Sequence, residues 1–70
     1  MNAEQVPEGW SVVTTAPNQT IGESLVQLLS DEGIAGMIGP ADAVSFLGVA
    51  YMPVRILVPD ADAERARAIL

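Results

Sequence analysis

A chain of 70 residues that contains neither cysteine nor histidine cannot staple itself with a disulfide, and a structural zinc would lack its usual ligands. At this size folding buries only about 60% of the surface that the unfolded chain exposes. Stability therefore has to come from apolar packing, with self-association as the one remaining reinforcement. Half of the residues (50%) are hydrophobic, enough for one core. Residues 1–9 are polar, with Pro7 and Gly9 as breakers, and are expected to form a flexible lead-in. Residues 10–70 are expected to form a single domain.

The period of the apolar pattern changes along the chain. Trp10 to Thr15 is rich in β-branched and aromatic residues and stops before Pro17, which predicts a strand with two mixed faces. From Asn18 to Glu32 the spacing becomes helical, because Ile21, Leu25, Leu28 and Leu29 fall within about 100° on a helical wheel. Asn18 and Thr20 are alternative N-caps, and Thr20 with Glu23 has capping-box spacing. Gly33 supplies the stop. Ile34–Ile38 predicts a second strand. Val54–Val58 predicts a third, with Val54, Ile56 and Val58 on one face and Arg55 and Leu57 on the other. Pro59 ends that strand, and Asp60 is placed to cap a last helix with an Ala63, Ala66, Ile69, Leu70 stripe. The resulting order is βαββα, an α+β class.

Several short motifs in this order resemble a known family. They are Thr15-Ala16-Pro17-Asn18 at the first turn, Leu29 to Ile34 as L-x-x-x-G-I, Ile56 to Pro59 at the third strand's end, and Asp62-Ala63 with Ala66 in the last helix. Together with their flanks, Thr14–Gly39 and Val54–Leu70, they cover 43 of 70 residues and resemble the DUF2007 family of small bacterial signal-transducing domains. The resemblance implies a ferredoxin-like or split βαβ fold, PII-like in shape. It further implies a three-stranded antiparallel sheet in the order 1-3-2, with both helices on one face. One edge of the first strand would then be open to pairing. The resemblance brings no catalytic residues with it.

Residue supply argues against an enzyme. Ser11, Ser24, Ser30 and Ser45 have no histidine, lysine or cysteine to act as a base. The acids Asp31 with Glu32, and Asp60, Asp62 and Glu64, sit at helix ends, where solvated turns and capping account for them. The second group lacks the glycine and distal glutamate of a calcium loop. Glycines 33, 36, 39 and 48 match no phosphate-binding spacing. No cofactor and no metal are expected. A net charge of -6 with three arginines disfavours nucleic acid as a partner. The opening segment MNAEQVPEGW lacks a basic n-region and an apolar h-region, so no secretory signal is expected and a cytoplasmic location is. Residues 33–54 tempt a membrane-span reading but hold Asp42, four glycines and two prolines, so no membrane association is expected.

What remains is surface. Residues 43–52, AVSFLGVAYM, carry no charge and gather Val44, Phe46, Leu47, Val49, Tyr51 and Met52 within a 15-residue connection, 39–53. Long uncharged loops of this kind fold back as core, here as a longer hairpin extending the second and third strands, or present an apolar patch to another chain. These six residues are the predicted protein-interaction site, with a protein partner or a second copy of the chain as occupant. Asn18, Thr20 and Arg55 are secondary candidates for contact with an anion or a partner. A non-enzymatic interaction or regulatory module is the function this supports. A small-metabolite sensor of PII- or ACT-like shape, binding a small molecule between loop and sheet edge, is the alternative.

Overall fold

The computed structural model describes residues 6–40, 44–46, 49–51 and 53–70. The chain runs β1 (Trp10–Ala16), α1 (Gln19–Asp31), β2 (Met37–Pro40), β3 (Val44–Phe46), β4 (Val49–Tyr51) and β5 (Val54–Pro59), then a 3₁₀ turn (Asp60–Asp62) and α2 (Ala63–Ile69). β5 is the middle strand of a three-stranded sheet in the order β1-β5-β2, antiparallel to both neighbours. β3 and β4 pair as a separate two-stranded ribbon. The fold is α+β with a ferredoxin-like βαββα arrangement, in the expected strand order, and the ribbon is inserted between its second and third principal strands.

One face of β5 organises the core. Val54, Ile56 and Val58 are buried and meet Leu29 of α1 and Ala63 and Ala66 of α2 in one cluster. Both helices therefore lie on the same face of the sheet. Arg55 and Leu57 occupy the opposite face, as the alternation predicts. Leu57 is nonetheless buried. A Cβ at Gly39 would sit 3.0 Å from Leu57 Cδ1, so the missing side chain on β2 leaves Leu57 room.

The mixed faces of β1 have a specific cause. Ser11 opposes Val58 and Val12 opposes Leu57, but Thr14, not Val13, opposes Ile56. Val13 is the extra residue of a β-bulge and packs against the core. The bulge puts Trp10, Val12 and Thr15 on one face and Ser11, Thr14 and Ala16 on the other, so strict alternation could not sort them.

α1 begins where asparagine can cap it. Asn18 is extended (φ -159°) and its Oδ1 accepts the Ile21 N–H at 2.9 Å. The Thr20–Glu23 capping box is corrected by this: Thr20 lies inside the first turn, and Glu23 accepts a hydrogen bond from Gln19 Nε2 at 3.1 Å. The helix ends in a Schellman motif, with Gly33 N–H donating to the Ser30 carbonyl and Ile34 N–H to the Leu29 carbonyl, both at 2.9 Å. Gly33 has φ +81°, and Leu29 and Ile34, the apolar pair that accompanies this motif, are both fully buried. The L-x-x-x-G-I pattern is thus a helix stop that drives its own apolar residue into the core.

That use of Ile34 also corrects the second strand, which starts at Met37 instead of Ile34. The chain is still leaving the helix at residues 34–36. A Cβ at Gly36 would lie 3.3 Å from Leu29 Cδ1, so the exit path hugs α1 before pairing begins.

The predicted Asp60 cap is replaced by a different arrangement. Asp60 opens the 3₁₀ turn, and neither it nor Asp62 caps through its side chain. The Asp60 carboxylate instead accepts the Ser11 hydroxyl, and the Asp60 N–H donates to the Gly9 carbonyl at 2.9 Å. Gly9 (φ +88°) belongs to the turn before β1, where Trp10 N–H donates to the Pro7 carbonyl at 3.2 Å. Residues 1–5 of the expected lead-in lie outside the described residues.

α1 approaches the sheet closely at Gly22. A Cβ there would lie 2.8 Å from Val54 Cγ2, a short side chain with little freedom to move away. Overpacking of this kind costs about 1–3 kcal/mol, while alanine gains about 1 kcal/mol in helix propensity. Gly22→Ala is therefore expected to lose about 1 kcal/mol net. Gly33→Ala, whose Cβ would meet Arg65 Nη2 at an ordinary contact distance of 4.0 Å but would sit on a left-handed backbone, is expected to lose about 1–2 kcal/mol. Urea titration followed by circular dichroism checks both.

Candidate interaction surfaces

The ribbon's register arranges its residues. Val44 pairs with Tyr51, Ser45 with Ala50 and Phe46 with Val49. Directly opposed residues share a face, so Val44, Phe46, Val49 and Tyr51 lie on one face and Ser45 and Ala50 on the other. Four of the six predicted interaction residues are brought together in this way. Leu47 and Met52 lie outside the described residues. Within the connection β3 and β4 thus form an antiparallel pair of their own, and the main sheet on either side of it closes on the Pro40–Val54 pair.

The sheet's two edges differ. β2 is four residues long and ends in Gly39-Pro40, a poor template because proline donates no hydrogen bond. β1 is seven residues long and uncharged. Its outer edge is unpaired among the described residues, yet the Val13 bulge divides it, a feature that discourages edge pairing.

The secondary candidates lie apart. Asn18 is engaged as the N-cap, and the Thr20 carbonyl accepts the Ser24 hydroxyl at 3.3 Å. Arg55 stands on the sheet face away from the helices, between Thr15 and Gly39 of the flanking strands. Among the described residues no cluster of three histidine, cysteine, aspartate or glutamate side chains could hold a metal. No helix among them is long and apolar enough to cross a membrane.

Sequence reasoning passed over Arg65. α1 ends with Asp31 and with Glu32 as its C-cap, and it has no basic residue in its last turn, an arrangement opposed by the helix dipole. Arg65 of α2 supplies the missing cation: its Nη2 donates to the Glu32 carbonyl at 2.6 Å, while Nη1 lies 3.5 Å from Asp62 Oδ1. An arginine in the first turn of a downstream helix gives no local signal of this role.

The sequence model of a family described as "Putative prokaryotic signal transducing protein" matches residues 13–70, from the bulge of β1 to the end of α2. The chain belongs to the DUF2007 family. No curated protein and no solved structure matches it significantly. The DUF2007 match spans both the three-stranded scaffold and the ribbon, so the ribbon lies within the family's domain.

Arg65→Ala is expected to lower the stability of this DUF2007 domain by about 1 kcal/mol, through the lost carbonyl cap and dipole compensation. The far-UV spectrum should remain native. Chemical denaturation of wild type and variant at equal ionic strength measures the difference.

Proposed function

We propose that this DUF2007 domain is a non-enzymatic interaction or regulatory module that docks a protein partner through the apolar face of the β3–β4 ribbon. The observation that carries this reading is the register that sets Val44, Phe46, Val49 and Tyr51 on one face. Two-stranded ribbons are marginal alone in water, and apolar, aromatic residues are enriched at the cores of protein interfaces. The signal-transducing description of the family agrees with a domain that acts by contact. The open β1 edge is the secondary surface, reduced in value by its bulge.

Phe46→Glu combined with Tyr51→Glu is expected to abolish partner capture from a lysate of source cells while the circular-dichroism spectrum stays native. A partner retained equally by both forms would move the docking surface elsewhere. A metabolite that raises the melting temperature saturably, with capture unchanged, would replace this reading with the sensor function. An unfolded double variant would assign these residues to the core.

A further inference from the structure

α1 carries more apolar surface than the sheet covers. Its buried line runs through Gly22 and Leu29, flanked by the half-buried Leu25 and Val26. At 100° per residue the apolar arc continues past Leu25 to Ile21 and Leu28. These two remain 43% and 42% exposed, the largest exposures among the described large hydrophobics. With Leu25 they form a ridge at helical i, i+4, i+7 spacing. It lies to one side of the buried line, the side on which Arg65 of α2 reaches Glu32. Leu70, just beyond α2, is 37% exposed.

The ends of the same helix are electrostatically unbalanced. No acid stands in the first turn and no base in the last. Asp31 and Glu32 place negative charge at the end where the dipole is already negative. Arg65 compensates at one carbonyl only.

We propose that the Ile21–Leu25–Leu28 ridge packs against the same ridge of a second copy of this chain, the two α1 helices antiparallel about a two-fold axis between Ser24 and Leu25. In that arrangement Ile21 of each copy faces Leu28 of the other, and Ser24, small and exposed, lets the helices approach at the axis. Asp31 and Glu32 of each copy stand beside the Pro17–Gln19 start of the other α1, whose free N–H groups and dipole favour negative charge. The pairing thus covers the excess apolar arc and corrects both helix ends at once. It is isologous, as a two-fold contact requires, and leaves both ribbons free for their own partner. Contacts of one short helix with another fall below the roughly 1,200 Å² of standard interfaces. The dimer is therefore expected to be weak and to form where the chain is concentrated or held together by a shared partner.

The absence of native cysteine makes the test clean. Ser24→Cys, on the axis, is expected to give disulfide-linked dimers on mild oxidation, and Ser30→Cys, about 120° round the same helix, is not. In sedimentation equilibrium, wild type is expected to dimerise reversibly. Ile21→Gln with Leu28→Gln, both at exposed positions, is expected to weaken dimerisation at least tenfold with a native spectrum. A wild type that stays monomeric at millimolar concentration overturns the proposal. So does equal crosslinking of the two cysteine variants, or a dimer unaffected by the double glutamine change. A dimer lost on Phe46→Glu and retained in the glutamine variant assigns self-association to the ribbon instead. If the glutamine variant loses its fold, the cysteine pair decides alone.

Discussion

β5 pairs with both other strands of the sheet, and β1 and β2 never touch each other. Among the described residues the segment from Val54 to Pro59 is therefore the only strand paired with either edge, and its Val54, Ile56 and Val58 face is the surface that both helices cover. Every other element is placed relative to it. α1 comes close enough that only glycine fits opposite Val54. The chain leaves α1 by burying Ile34 in the same cluster, and α2 returns Ala63 and Ala66 to the strand's far end. A domain without a covalent staple concentrates its stability where one strand is used on both sides.

The parts of this plan that local chemistry dictates were legible from the residues. Alternation marked β5 and assigned its faces, helical spacing marked α1, and the glycine at 33 marked its end. What escaped were the places where tertiary contact outvotes local pattern. Ile34 looks like the start of a strand and is the last anchor of a helix. Val13 breaks the two-residue period because the bulge directs it toward the core, and no feature of WSVVTT announces that. Asp60 has the residue type of a cap but is taken by Ser11, 49 positions away. The uncharged stretch 43–52 reads from composition either as a hairpin extending the sheet or as an exposed patch, and composition fixes neither its register nor its separation from the main sheet. Pairing alone shows that Val44, Phe46, Val49 and Tyr51 share a face.

Charge in this domain does less to attract than to position. Nine acids and three arginines leave the surface negative. One of those arginines, Arg65, bridges the helices by reaching the carbonyl end of α1. The surfaces proposed for docking carry no charged side chain of their own: the ribbon from Val44 to Tyr51, the β1 edge, and the Ile21–Leu25–Leu28 ridge on α1. Docking at such surfaces would rest mainly on shape and apolar area, with charge acting at their margins, as proposed for Asp31 and Glu32 at the ends of the α1 ridge.

The ribbon leaves the sheet after Pro40 and the chain re-enters at Val54, and these two residues are register partners. Neighbouring strands lie about 5 Å apart, so the insertion starts and ends at nearly one point. The scaffold is closed at that point whether the excursion is long or short. Residues between the two positions can change in length and composition while the Val54, Ile56, Val58 face stays buried as before. A domain wired in this way can exchange one hairpin for another with the cost to its fold confined to the junction.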